Sequence, residues 1–399
     1  MTLPLEGIRV VDLSRNMPGP TCTMMLADFG AEVVNVEEPR GAAEMGRRGE
    51  QAKGTVKRPS RTTEEISRQR AYDCLTRNKK SVVINLKDIA GLDILYRLVE
   101  TADVFVEGYR PGTAARLGID YDTLSRLNSR LVYCSISVYG QTGPYRDFLG
   151  RDPCALSLGG IYSLSPDERG KPLMFGVPLD DIATGHHAAM GILLALRGRD
   201  LTGQGQHVDI SMLDSGMDFL AWFSGMHFRG SAVPKWGVPN PSSYIFETKD
   251  GKYITTANLE PHLWANFCRA LGREDLIPFQ FNREKRQEAY EAVRDTMLTR
   301  NRDEWTSILR EGETELAPVL ELEEAFSDPH VVARGMVVEA QHSVAGPVRQ
   351  LGISIKLSGT PGQVRFLGGA PGEHTTEVLA GLGLSQQEIE RLWETGAIG

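Results

Sequence analysis

Cysteine is scarce and scattered: Cys22, Cys74, Cys134, Cys154 and Cys268 are the five in 399 residues, and none forms a C-x-x-C pair. An odd, unpatterned set fits a reducing cytosol, the expected compartment, and argues against a thiolate zinc site. Histidine does not fill the gap. His186 and His187 are adjacent, so on a helix they face different sides instead of converging four residues apart, and no metal site is expected. No run of about twenty apolar residues is present, which excludes a membrane-spanning helix. The residues after Met1 carry neither a basic start nor a long apolar run, so no secretory leader is expected. Basic charge is not in excess either: the net charge is −8, which argues against a broad nucleic-acid surface. A G-x-G-x-x-G fingerprint is missing, so nicotinamide-dinucleotide binding is not supported.

What remains is an ordinary globular composition, 41% hydrophobic and 24% charged, long enough for two domains. Ile8 to Leu13 reads as a strand, Ser14 to Pro20 as a loop, Thr21 to Phe29 as a helix stopped by Gly30, and Ala31 to Val36 as a second strand. That is a β-α-β unit with the default right-handed crossover. Gly41 to Arg77 interrupts with Arg47, Arg48, Lys53, Lys57, Arg58, Arg61, Arg68, Arg70 and Arg77. It reads as a solvated excursion, some of whose guanidinium groups are suited to gripping phosphate. The alternation resumes with strands at Val82 to Leu86, Asp103 to Val106, Leu131 to Ser137 and His207 to Ser211, and a helix from Ala90 to Glu100. Glycine-bearing loops at 107–112 and 138–143 leave the carboxyl ends of strands, where open α/β sheets place ligands. Beyond Gly225 the pattern changes to a hairpin around Lys249-Asp250-Gly251-Lys252 and helices near His262 to Leu271, Arg283 to Leu298 and Arg302 to Leu309. The expected organisation is a large open Rossmann-like α/β domain over 1–224, with 331–399 returning to it, and a smaller α+β domain over 225–330. In the tail, strands are expected at Val337–Glu339 and Ile353–Leu357, and a helix near Ser385 to Glu394.

The central stretch is Gly176 to Gly185, in which Asp180 and Asp181 open the apolar segment Ile182 to Arg197. This segment reads as a helix with little solvent-facing surface. Acidic residues there cap free N–H groups; a carboxylate at the mouth of a cleft also serves as a nucleophile. Composition does not choose between the two.

Several blocks together resemble a family III CoA-transferase, the carnitine-dehydratase and bile-acid-inducible group, across nearly the whole chain. They are Leu5-Glu6-Gly7-Ile8-Arg9-Val10-Val11-Asp12, Gly19-Pro20 with the run Leu26 to Val34, Asn78-Lys79-Lys80-Ser81, the run Ala102 to Glu107 with Arg110-Pro111-Gly112, and the run Asp328 to Met336. The resemblance implies Asp181 as nucleophile, with Asp180 as a capping or orienting neighbour. It implies double displacement through an aspartyl anhydride and an aspartyl-CoA thioester, with CoA and acyl-CoA as substrates and no permanently bound cofactor. Helix-start N–H groups are expected to steady the oxyanion. By position it assigns CoA contacts to Asn78, Lys79, Lys80, Gly108, Tyr109, Arg110, Pro111, Arg116, Leu117, Tyr139 and Met212. It also implies an interlocked-ring dimer, either of identical chains or with a paralogous subunit.

Departures from the family pattern shape the substrate expectation. Met17 stands where oxalate-specific members have glutamine, and Lys235 to Pro241 holds no glycine run. This disfavours oxalate, and Met17 and Trp236 point to a more apolar acid. Related 2-methylacyl-CoA racemases carry Gly-His-Asp where this chain has Gly150-Arg151-Asp152. Arginine is a poor proton shuttle and a good carboxylate clamp, which favours transfer over racemisation and makes Arg151 a substrate-binding candidate. A catalytically silent partner subunit is the remaining alternative, opposed by the intact Asp181.

Overall fold

A computed structural model describes residues 2–39, 62–167, 169–235 and 237–399. The basic residues Arg47, Arg48, Lys53, Lys57, Arg58 and Arg61, and also Trp236, lie outside the described residues. The chain divides into two compact units: Met1–Gly159, Phe175–Trp222 and Val332–Gly399 form one, Gly160–Met174 and Phe223–Val331 the other.

The first unit is built on a six-stranded sheet, β1 (Arg9–Leu13), β2 (Glu32–Glu37), β3 (Lys79–Val83), β4 (Val104–Glu107), β5 (Val132–Ser137) and β6 (His207–Ser211). The strand order is 3-2-1-4-5-6 and every pairing is parallel. This is the Rossmann-like arrangement expected from the alternating pattern. In this order the chain reverses direction across the sheet between β1 and β4, and the loops leaving their carboxyl ends frame a crevice.

Five helices matter for the site: α1 (Pro18–Asp28), α2 (Ile89–Glu100), α3 (Asp152–Leu158), α4 (Leu179–Thr202) and α5 (Met212–Met217). The first begins three residues before the expected start, at Pro18. A proline at a helix's first position loses no hydrogen bond, because that N–H has no helical partner anyway. The packing of α1 on α4 is close enough to require glycine. A Cβ on Gly185 would meet the Thr21 side chain at 2.7 Å and the Pro18 carbonyl oxygen at 2.8 Å. Contrary to the sequence expectation, α4 is not covered all round in the single chain: Met190, Leu194 and Leu201 are 59%, 67% and 72% exposed.

Strand β3 starts at Lys79, three residues before the expected Val82, because its polar first residues are buried against partners. Lys79 Nζ donates to the Pro20 carbonyl oxygen (3.0 Å) and Thr23 Oγ1 (2.6 Å) and lies 3.5 Å from Asp12 Oδ2. Burial lowers the Lys79 pKa and the Asp12 charge opposes that. Just before it, Arg77 grips Asp28 in a fork, Nε to Oδ1 at 3.0 Å and Nη2 to Oδ2 at 2.6 Å. Asn78 Nδ2 donates to the same Asp28 (2.8 Å) and to the Gln363 carbonyl oxygen (2.8 Å). The chain's last residues run beside β3, with Asn85 N bonded to Ala397 O and Gly399 N to Val83 O, covering an edge that would otherwise be open. Ile353–Leu357 is not a strand: β10 (Val337–His342) pairs with β11 (Gly346–Leu351) across a tight turn.

In the second unit, β7 (Ile245–Glu247), β8 (Tyr253–Thr256) and β9 (Leu316–Pro318) form an antiparallel sheet, with the expected hairpin at 249–252. Its core holds Phe246, Trp264, Phe267, Tyr290 and Trp305.

Removing one side of the buried Arg77–Asp28 pair leaves an uncompensated charge. Arg77→Ala is expected to cost about 3–5 kcal/mol in guanidinium unfolding; an unchanged midpoint would show that the pair is not closed in solution.

Candidate active site

Asp180 and Asp181 are the second and third residues of α4. The residue preceding the helix, Pro178, offers no side-chain cap, and the capping carboxylate comes from α3 instead. Asp152 Oδ2 accepts from Asp180 N at 2.8 Å and from Asp181 N at 3.1 Å. Leu179 N donates to Val177 O at 2.9 Å and Ile182 N to Pro178 O at 3.2 Å. The first four N–H groups of α4 are therefore all engaged. The expectation that they steady an oxyanion is corrected, and so is the idea that Asp180 is itself the cap.

The two aspartates differ in environment. Asp180 is 0% exposed, and neither carboxylate oxygen has a hydrogen-bond partner among the described residues. Its carboxyl lies on α5: a Cβ on Gly216 would stand 3.1 Å from Asp180 Oδ1. Burial, then the charges of Asp152 and Asp181, push its pKa up to about 7. Asp181 is half-buried, and its pKa rises to about 6 through burial and the Asp152 charge, opposed by Arg151. Arg151 sits immediately before α3 with its side chain exposed.

Because α4 precedes the parallel strand β6, its first turn lies at the carboxyl edge of the sheet, the side the ligand loops leave from. Met17 is half-buried next to the start of α1. Tyr109, after β4, is half-buried; its N–H donates to Glu107 Oε2 (2.7 Å), and the Arg15 guanidinium lies 5.4 Å from its ring centre. Arg15 also pairs with Glu38 at 2.6 Å. It was not singled out in the sequence, since it stands alone in the loop after β1.

Around Gly112 several guanidinium groups gather. Arg110 Nη2 donates to the Asp147 carbonyl oxygen at 3.2 Å, and a Cβ on Gly112 would lie 3.7 Å from both Arg116 Nη1 and Arg146 Nη2. Arg110 and Arg116 were expected there. Arg146, missed because it belongs to the loop after β5, joins them. Gly108 is exposed, Pro111 half-buried, and Leu117 packs on the core. Tyr139 is half-buried, its ring 6.2 Å from Tyr145, and Gly150 leaves room for it: a Cβ there would meet Tyr139 Oη at 2.7 Å.

The other assigned positions face inward. Asn78 and Lys79 are 2% and 5% exposed with the internal partners given above, and Met212 is 5% exposed. Lys80 reaches the surface but bridges Glu32 (2.8 Å) and Glu377 (3.0 Å). No group of three or more His, Cys, Asp or Glu able to hold a metal occurs among the described residues.

The description CoA-transferase family III matches residues 5–375. The chain belongs to CoA-transferase family III. The β subunit of a Chloroflexus aurantiacus succinyl-CoA–L-malate CoA-transferase is 34% identical over 98% of this chain and 97% of that protein. The human succinyl-CoA:glutarate CoA-transferase is 31% identical over 94% of this chain and 85% of its own length. Among solved structures, a CaiB/BaiF family protein from Brucella suis superposes with a TM-score of 0.79 at 27% identity, covering 96% of this chain and 100% of that one. This family III chain is accordingly an acyl-CoA transferase, and CoA thioesters are its substrates.

In this transferase Asp152 both fixes the start of α4 and raises the Asp181 pKa. Asp152→Ala is expected to cost about 2 kcal/mol of stability, as loss of a doubly used cap. It is also expected to lower the Asp181 pKa, because the Asp152 charge that helps raise it is gone. A thermal melt with an NMR titration of the Asp181 carboxyl checks both, and an Asp181 pKa that stays in place or rises contradicts this role of Asp152.

Proposed function

We propose that the chain transfers CoA from a donor acyl-CoA to an acceptor carboxylic acid with Asp181 as the covalent nucleophile. The observation that carries this reading is a half-buried carboxylate, fixed by Asp152 at the carboxyl edge of a Rossmann-like sheet, in a chain of this family. An Asp181 oxygen attacks the thioester carbonyl and the C–S bond breaks, giving a mixed anhydride and CoA thiolate. The thiolate attacks the aspartyl carbonyl and expels the donor carboxylate. The acceptor carboxylate then displaces thiolate from the aspartyl thioester, and thiolate attack on the acceptor acyl carbon restores Asp181. Negative charge passes from oxygen to sulfur and back, so no proton needs to be supplied. A carboxylate suits this exchange because its anhydride is about as reactive as the thioester it replaces, whereas a serine ester would hold the acyl group too firmly.

CoA is proposed to lie across the β1 and β4 loops, with Arg110, Arg116 and Arg146 toward its phosphates and Tyr109 and Tyr139 offering aromatic faces. Arg151 is proposed to meet a substrate carboxylate, with Met17 nearer the acyl group. The buried positions of Asn78, Lys79 and Met212 support a part in shaping the pocket wall, with Gly108, Pro111, Leu117 and Lys80 around it. A dimer, of two identical chains or with a paralogous subunit, is proposed on the apolar face that α4 leaves exposed. The relatives from Chloroflexus aurantiacus named as α and β subunits are the precedent for the second form.

Borohydride or hydroxylamine added after exposure to acyl-CoA is expected to modify Asp181. Asp181→Ala is expected to lose at least about a thousandfold in transfer rate, the scale of removing a covalent nucleophile. Persistent turnover in that variant, with an unmodified Asp181 in the wild type, removes the proposal.

A further inference from the structure

The mechanism above uses one carboxylate, yet the first turn of α4 and its cap hold three: Asp152, Asp180 and Asp181. Asp152 is fixed in a charge-assisted role by two N–H donors at 2.8 and 3.1 Å. Asp181 must be ionised to attack. Asp180 is 0% exposed, has no ion pair and no contact of full hydrogen-bond geometry at either carboxyl oxygen among the described residues, and has the Gly216 backbone against its carboxyl. An ionised carboxylate in such a place lacks both solvation and pairing, and the ordinary outcome is that it keeps its proton.

Other groups facing it do not change this. On its own helix Thr184 lies one turn on; its buried hydroxyl faces the Asp180 carboxyl and opposes the rise, less strongly than burial and the neighbouring carboxylates favour it, and no contact of full hydrogen-bond geometry joins the two. His187, two turns on along the same helix, is held by Asp218 Oδ2 (2.8 Å) and the Ala183 carbonyl oxygen (2.8 Å), and against the effect of burial those contacts raise its pKa. From α3 the facing charge is that of Asp152, and on α5 the acidic side chain, Asp214, is exposed.

We propose that Asp180 is a positioning residue that carries the one proton of the Asp180–Asp181 pair, so that the negative charge of the pair stays on Asp181. This rests on Asp181 being the nucleophile. When Asp180 loses its proton, a second fixed charge appears beside the attacking oxygen and faces the developing oxyanion and the thiolate. Transfer is then slowed at alkaline pH. The two ionisations belong to the pair and not to either residue alone.

The test is the pH dependence of covalent capture at Asp181, followed by mass spectrometry with succinyl-CoA as probe, in wild type and Asp180→Asn. Asparagine copies the neutral acid and has no proton to lose. The ratio of the variant's capture rate to that of the wild type is expected to rise about tenfold between roughly pH 6 and 8, as one group titrating near 7 loses its proton. A flat ratio overturns the proposal, and so does a folded variant that captures nothing at any pH. Stability supplies a second reading. A carboxyl whose folded pKa is raised stabilises the fold below its unfolded value near 3.8 and loses that contribution as pH rises toward 7. The wild type should show a steeper fall, extending toward pH 7, than Asp180→Asn, in which the raised pKa of Asp181 still contributes up to about 6; equal slopes also overturn the proposal. If the variant does not fold, the infrared band of a protonated carboxyl in the wild type, titrating near neutrality with Asp180 isotopically labelled, decides in its place. Absence of any capture at Asp181 in the wild type would be a failure of the nucleophile assignment, distinct from a flat ratio.

Discussion

A single oxygen, Asp152 Oδ2, accepts the N–H groups of two consecutive residues at the start of α4, and the geometry of the site follows from it. The first turn of a helix carries free donors that must be satisfied. Here the satisfying group comes from a different helix, so the cap also ties α3 to α4. With Asp152 in place the backbone of Asp181 cannot swing, and its side chain is presented half-buried at the sheet's carboxyl edge. The opposite side of the same turn is closed by Gly216, and one turn on, Gly185 lets α1 approach to backbone distance. Glycine at 185 and 216 is thus a steric demand of how closely three helices meet around two carboxylates.

A second constraint lies under the β2 and β3 end of the sheet. Asp12, Thr23 and Lys79 form one buried polar cluster, and Asp28, Arg77 and Asn78 form another. Buried charges persist only when paired, and such pairs fix register more than they add stability. They set where β3 begins and how the returning segment near Gln363 to Phe366 lies beside it. Polar residues that resemble ligand contacts by position thereby serve the architecture.

Periodicity made the parallel sheet legible: runs such as Val104–Glu107 and Val132–Ser137 are buried on both faces and followed by glycine-bearing loops. The hairpin at 249–252 was equally plain. Three things were not. The start of β3 was hidden because Lys79 and Ser81 are polar, and only tertiary partners reveal that they are interior. The cap of α4 was hidden because Asp152 is 28 residues away from Asp180, and local spacing favoured Asp180 itself. Arg15 and Arg146 were hidden because each comes from a loop whose neighbours in space are supplied by another strand. Asp181 was legible only through its surrounding motif, since as a helix-start carboxylate it looks like any cap.

Charge distribution links the site to its substrates. CoA thioesters and carboxylic acids are anions, and a chain of net charge −8 repels them at long range. Local cations oppose this: Arg110, Arg116 and Arg146 around Gly112, Arg15 at Tyr109 and Arg151 beside Asp152. At the first turn of α4 the balance is less favourable, with three carboxyl groups and one nearby arginine. If all three were ionised, the approach of a thioester and the departure of a thiolate would both face two fixed negative charges besides the nucleophile's own. Asp152 cannot be relieved without losing the cap, and on the proposed mechanism Asp181 cannot be relieved without losing the reaction. Asp180 is the member whose neutralisation costs nothing to either, and it is the one that the fold has closed off from water.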